Sequence, residues 1–185
     1  MDFQELLELF ETYHRNEDVE WLASSWVLAK QALNFGLKET YNRWRNTETG
    51  KRMLSAKKAT IVVSWSEANL PADFAELRDL SGGYSSNEMP EHQIVYDLEQ
   101  PKIIMADGTY SIRYIPQPKK LVNTTDIVWL PDELHFSICD FAMDFYYMWE
   151  RNWVERSNNM TFATRNFEIR SSQIWDNTAW DHFSS

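Results

Sequence analysis

The stretch "LPDELHFSICDFAMDFYYMW", residues 130–149, contains the clearest helix start in the sequence. Pro131 is followed at once by two acids, Asp132 and Glu133, an arrangement typical of the first turn of a helix. The apolar residues after it recur at helical spacing on one face, at Ile138, Phe141, Phe145 and Met148, and others spread around the remaining faces. The pattern predicts a helix buried on more than one side, inside a bundle or against neighbouring subunits.

Helical periodicity also covers the N-terminal part of the chain. Phe3, Leu6, Leu7 and Phe10 predict a short first helix with Asp2 as its N-cap. An apolar stripe from Leu22 to Trp44 predicts a second, long helix. Gly50 ends that helix or separates it from one more turn near Met53.

The middle of the chain changes to the pattern of strands. The β-branched run "ATIVVSW", residues 59–65, is typical of a strand, and Pro71 requires a turn. In "KIIMADGTYSIRYI", residues 102–115, Ala106-Asp107-Gly108 favours a tight hairpin between alternating flanks. "DIVWL", residues 126–130, is a candidate last strand.

We therefore expect an α+β protein that is mainly α: a helical bundle with a small antiparallel β-insertion and an extended C-terminal tail. A chain of 185 residues is enough for one domain with such an insertion. The expected parts are N-terminal helices at 1–58, a β-insertion with loops at 59–130, a long C-terminal helix completing the bundle at 131–171, and a docking tail at 172–185.

The aromatic C-terminal tail is the first candidate for partner binding. It ends in "SSQIWDNTAWDHFSS", residues 171–185, whose large apolar side chains are unfavourable in water. The candidate partner-binding residues are Ile174, Trp175, Trp180 and Phe183. Folding of these side chains back onto the chain's own core is the alternative.

The charge distribution offers a second candidate surface. The formal net charge of −10 argues against a protein that coats DNA, which needs a basic face. The stretch 43–58 is nonetheless basic and is either a solvated corner or a contact to DNA or another subunit. Its basic residues are Arg43, Arg45, Lys51, Arg52, Lys57 and Lys58.

Catalytic and metal-binding patterns do not emerge from the sequence. The four histidines are scattered and no Cys-x-x-Cys motif is present, so we expect no metal, no cofactor and no catalytic residues. The single Cys139 fits a small core residue in a reducing compartment. The sequence has neither a signal peptide nor an apolar run of membrane-spanning length, so we expect a soluble, unsecreted chain without membrane contact.

The order of three motifs resembles bacteriophage tail adaptor proteins, also called head-to-tail connector, neck or head-completion proteins. The motifs are the step Leu70-Pro71-Ala72-Asp73-Phe74, the segment "DGTYSIRYIPQPKKL" at 107–121 with its Pro-x-Pro loop, and the entry "WLPDELH" at 129–135. The resemblance spans roughly residues 17–170, and no motif is a catalytic signature.

The resemblance implies a structural virion protein of the phage neck, assembled in the host cytoplasm. Twelve copies would form a ring around the DNA channel, with double-stranded DNA passing through without sequence-specific binding. The C-terminal segment would reach the portal protein, and a nozzle or tail-tube protein would bind below.

Two other functions remain open. Some adaptor relatives degrade peptidoglycan, so the chain could be a virion-associated hydrolase that depends on Glu91 or Glu133. It could also be a host-directed module that binds one protein through its acidic, aromatic face.

Overall fold

The computed structural model describes residues 1–13, 26–82, 90–96, 100–149 and 151–181, without the side chains of 13, 26 and 175–181. The chain divides into two compact units. A helical unit contains residues 1–52 and 120–185, and a β unit contains residues 53–119.

The helical unit is built from five helices and one 3₁₀ turn within the described residues. In chain order they are α1 (Phe3–Tyr13), α2 (Trp26–Asn46), α3 (Glu48–Met53, whose last residue lies in the β unit), the 3₁₀ turn (Asp132–Leu134), α4 (His135–Trp149) and α5 (Trp153–Asp181). The predicted helices at Phe3 and in the Leu22–Trp44 stripe are therefore present, although residues 14–25 lie outside the described residues. Pro131, predicted at the first helical position, directly precedes the 3₁₀ turn and has a non-helical ψ of 143°.

The start of α1 is capped from both directions. The Asp2 carboxylate accepts a hydrogen bond from the Glu5 amide, and the Glu5 carboxylate accepts one from the Asp2 amide, each at 2.8 Å. This reciprocal pair satisfies two amides that the helix cannot satisfy itself. The segment before the 3₁₀ turn also holds this end, since the amide of Phe3 donates to the carbonyl of Asp126. The strand expected at 126–130 does not form, and Ile127 makes only an isolated bridge with Asp2.

Helix α4 is the centre of the helical unit and packs against α1, α2 and α5. Its residues from His135 to Asp144 are buried except for Phe136, which explains its apolar character on several faces. Gly36 allows α2 to approach closely, because a Cβ there would collide with the carbonyl oxygen of Ile138. Phe35 of α2 and Phe145 of α4 add a ring contact, with centroids 5.7 Å apart.

The C-terminal part departs from the expected single helix and extended tail. The helix expected at 131–171 is interrupted between α4 and α5, where Arg151 has a left-handed φ of 59° that a helix does not continue through. Residues 172–181, expected to be extended, continue α5 to Asp181. The extended-tail prediction is therefore wrong for these residues.

The β unit contains two three-stranded antiparallel sheets. Strands β1 (Lys57–Val63), β6 (Gly108–Pro116) and β3 (Phe74–Gly82) form the first sheet, in the order β1-β6-β3. Strands β2 (Glu67–Asn69), β5 (Lys102–Ile104) and β4 (Gln93–Val95) form the second, in the order β2-β5-β4. The expected fold class, a helical bundle with a small insertion, is thus wrong: the protein is α+β with a β unit that has its own apolar core.

The hairpin predicted at Ala106-Asp107-Gly108 is also wrong. The strands on its two sides, β5 and β6, belong to different sheets and do not pair. A two-residue turn occurs instead at Trp65-Ser66, where the backbones of Ser64 and Glu67 exchange two hydrogen bonds.

The Leu-Pro-Ala-Asp-Phe step ties the β unit together. Leu70 and Phe74 are buried in its core, and the Phe74 amide closes a turn onto the carbonyl of Pro71. The Asp73 carboxylate accepts hydrogen bonds from Lys57 at 2.6 Å and from the Tyr114 hydroxyl at 2.9 Å. Asp73 thus links the turn to β1 and β6.

These contacts shift the pKa values of the Asp73 carboxyl group and the Tyr114 hydroxyl group. Partial burial alone would raise the pKa of Asp73, but hydrogen bonds from Lys57 and Tyr114 outweigh it and lower that pKa. Burial, reinforced by the Asp73 carboxylate, raises the pKa of Tyr114 to about 12.

Substitution of Gly36 by alanine tests the close packing of α2 on α4. A Gly-to-Ala change inside a helix ordinarily stabilises it by about 1 kcal/mol. We expect Gly36→Ala instead to lower the free energy of unfolding by about 1–3 kcal/mol, because the new methyl group meets the α4 backbone. Urea unfolding followed by helical circular dichroism measures the change, with the exposed Lys38→Ala as control. A stabilised Gly36→Ala would contradict this packing.

The Asp73–Tyr114 hydrogen bond predicts a pH dependence at the alkaline side. Because the folded pKa of Tyr114 lies above the ordinary value of 10, its contribution to stability is complete below pH 10 and is lost as the pH rises toward about 12. In an alkaline titration, tyrosinate absorbance should show one tyrosine of the wild-type chain ionising near pH 12. The Tyr114→Phe variant should lack this ionisation. In Asp73→Asn this tyrosine should ionise at lower pH, and an unchanged titration would contradict the assignment.

Candidate functional site

Buried ion pairs hold α5 against α4. Asp140 and Asp144 of α4 are both fully buried. Arg170 donates to Asp140 Oδ2 at 2.6 Å, and Arg156 donates to both oxygens of Asp144 at 3.0 and 3.3 Å. The Asp140 Oδ1 atom accepts no hydrogen bond among the described residues, so Arg170 is the main compensation for this buried charge.

The same pairs determine which side of α5 faces outward. The arginines lie on the side of α5 that also carries the buried Ala163, Phe167 and Ile174. The opposite side carries Val154, Phe162 and Ile169, which are 70%, 52% and 50% exposed. Their spacing of eight and seven residues places them along one side of the helix. We call these three residues the outer stripe.

The outer stripe is unusual for the surface of an isolated protein. Single exposed apolar residues need no explanation. Three at helical spacing, on the side opposite a packed face, place apolar area on the outer side of α5 beside the polar Asn158 and Arg165. Such a mixed surface is typical of a helix that meets another chain.

The tail residues predicted to bind a partner do not share one environment. Ile174 is only 3% exposed and belongs to the core of the helical unit, so its side chain is not on the surface. Trp175 and Trp180 lie in α5 by their backbone, and their side chains are outside the described residues. Phe183 lies outside the described residues altogether.

The six basic residues of the 43–58 stretch are distributed over both units. Arg43 and Arg45 are half-buried on α2, and the Arg43 guanidinium lies 4.8 Å from the centre of the Phe141 ring. The others are exposed: Lys51 pairs with Glu48 and Lys57 with Asp73, while Arg52 and Lys58 are also at the surface. Arg43 and Arg45 therefore contribute partly to packing, and the stretch is not one continuous exposed patch.

The described residues contain no group of three or more histidine, cysteine, aspartate or glutamate side chains placed to hold a metal ion.

Two titratable side chains of the helical unit are buried. Cys139 is buried, which raises the pKa of its thiol. His135 is buried too; loss of hydration lowers its pKa, and its ring contacts the Leu130 carbonyl at 3.1 Å. Among the described helices, none has the length and apolarity to cross a membrane.

A helix with exposed apolar side chains opposite its packed side is typical of a protein that assembles with others. A family model described as SU10 adaptor protein matches residues 1–179, and the chain belongs to that family. Its members are phage adaptor proteins, so the resemblance inferred from the motif order is confirmed. A search of curated proteins finds no match.

The sequence interpretation missed the outer stripe. The signal was present in the spacing of Val154, Phe162 and Ile169, but α5 carries apolar residues on both sides. The pairing of Arg156 and Arg170 with α4, together with the burial of residues on the same side, identifies the inner side.

Removal of one arginine tests the buried pair. Arg170→Ala leaves Asp140 charged and buried without its main partner, so we expect the free energy of unfolding to fall by about 3–5 kcal/mol. Arg165→Ala removes the same type of side chain from an exposed position on the outer side. It should change the free energy of unfolding by less than about 0.5 kcal/mol. Equal urea midpoints for the two variants would rule out a structural role for the pair.

Proposed function

We propose that the chain is a structural virion protein that forms a ring between the phage portal and the tail and continues the DNA channel. It acts as a connector and not as an enzyme. The observation that carries this proposal is the outer stripe, and membership of the adaptor family supports it.

A closed ring requires two different surfaces on every subunit, because each copy contacts one neighbour with one face and the other neighbour with another. The outer stripe supplies one such surface on an ordered helix. Because these side chains are already partly covered, burying the rest of each one against a neighbour contributes about 1 kcal/mol per side chain, before the costs of association.

The C-terminal end of the chain is proposed to contact the portal protein. Helix α5 continues to Asp181, so the backbone of Trp175 and Trp180 is carried on the helix that the ion pairs hold. Tryptophan is enriched at the energetically dominant positions of interfaces. The distal surface of the ring would bind a nozzle or tail-tube protein.

The net charge of −10 suits a channel protein. An acidic wall repels the phosphate backbone, so double-stranded DNA can pass through twelve such subunits without being retained. The protein would then reside in the neck of the virion, after assembly in the host cytoplasm.

Portal capture by two variants tests the proposal. The first variant ends after Ile174, which removes the tail but keeps the buried Ile174 side chain that a cut at Ser171 would delete. The second is Phe162→Glu, which places a charge in the outer stripe. We expect the wild-type chain to co-migrate with the portal protein as a multimer, the truncated chain to lose portal binding, and Phe162→Glu to lose multimer formation.

The control is Ser55→Glu, which adds the same charge at an exposed position outside α5. Circular dichroism must show that all variants retain their helices. A wild-type chain that stays monomeric and unbound would overturn the proposal and favour a host-directed module, or a hydrolase if it clears cell walls.

A further inference from the structure

The turn between β1 and β2 holds a tryptophan in an unfavourable conformation. Trp65 and Ser66 have left-handed φ values of 58° and 63°. Two-residue turns with positive φ at both positions normally contain Asn-Gly or similar pairs, because a bulky side chain is strained there. The indole of Trp65 is also 92% exposed.

Neighbouring residues hold this turn in place. The Ser66 amide donates to Asp107 Oδ1 at 2.7 Å, and the Ser66 carbonyl accepts from the Met105 amide at 3.1 Å. The indole is thus displayed on an ordered backbone. A strained, fully exposed aromatic residue lowers the stability of the isolated chain, and such residues concentrate at functional contacts.

The helical unit carries a cavity of about 300 Å³ that suits such a side chain. Its lining is mainly apolar and includes the buried Leu121, with Lys30 and Lys120 contributing positive charge. Since an apolar cavity of about 150 Å³ already accommodates benzene, this volume is sufficient for one indole ring.

The surroundings of the two features are complementary in charge. Glu67 and Asp107 lie beside Trp65 and are both exposed, and Glu67 also pairs with Lys102 of its own chain at 3.7 Å. Lys120 is exposed and can face these acids or pack against the indole, while the Lys30 ammonium already donates to the Val122 carbonyl at 3.0 Å. The acids at the turn disfavour DNA as the partner of Trp65, because they would repel the phosphate backbone.

We infer that Trp65 of one copy inserts into the cavity between Val27, Asn34 and Leu121 of the next copy. This inference rests on the proposed ring, and it names one contact between its subunits. A projecting turn and a receiving cavity are different surfaces, so the contact is head-to-tail and repeats into a ring when the rotation between copies closes.

Disulfide cross-linking tests the contact directly. Ser64→Cys places a thiol beside the turn and Gln31→Cys places one at the cavity, while the native Cys139 is buried. Under conditions where rings form with the portal protein, mixing the two single variants should give covalent dimers. In the control mixture, Glu48→Cys, at an exposed position in α3, takes the place of Gln31→Cys. This mixture should not give cross-linked dimers.

Three outcomes are distinguishable. Rings with the specific cross-link support the inference. Rings without it overturn the inference and leave the proposed function standing. The absence of any ring overturns both.

Substitution of Trp65 provides a second test that separates assembly from folding. Trp65→Gly relieves the strained φ, so its thermal midpoint should equal or exceed that of the wild-type chain. We expect it to raise the chain concentration needed for ring formation by at least about tenfold. Unimpaired assembly of Trp65→Gly would overturn the inference.

Charge reversal tests the same contact. Glu67→Lys and Lys120→Glu should each weaken assembly, and the two changes together should restore it. Glu91→Lys is the control for the change of charge.

Discussion

Asp140 is a fully buried carboxylate whose charge is compensated mainly by Arg170, 2.6 Å away on α5. A charge taken out of water requires such a partner, so α5 can pack on α4 only with its arginines turned inward. Hydrophobic burial alone would discriminate poorly between the sides of α5. The inner Ala163, Phe167 and Ile174 are about as apolar as the outer Val154, Phe162 and Ile169. The ion pairs therefore specify which apolar side remains available to other chains.

The features of the fold that depend on neighbouring residues could be predicted from the sequence. The capped start of α1 at Asp2 and the helix entry at Pro131 follow from local chemistry and are present. The packing of α4 on several sides followed from its apolar residues. Cys139 was correctly expected in the core.

Features that depend on distant pairing could not be predicted. Ala106-Asp107-Gly108 has the composition of a tight turn, yet β6 pairs with β1 and β3, far earlier in the sequence, and β5 pairs with β2 and β4 in the other sheet. The actual two-residue turn contains Trp65 and Ser66, which local preference disfavours. Ile174 seemed available for a partner because the hydrophobicity of a side chain does not reveal whether its own core covers it.

The motifs that indicated the adaptor family are structural. Leu70 and Phe74 fill the core of the β unit, and Asp73 links β1 and β6 through Lys57 and Tyr114. They maintain a scaffold, while the outer stripe and the Trp65 turn present apolar side chains to solvent. These exposed side chains carry the contacts that we propose between copies of the chain.

Electron microscopy of the chain mixed with its portal protein tests the central claim most directly. The account predicts a ring of twelve copies below the portal, in which the outer stripe of α5 is covered by a neighbouring subunit. A ring in which Val154, Phe162 and Ile169 all face solvent would contradict it.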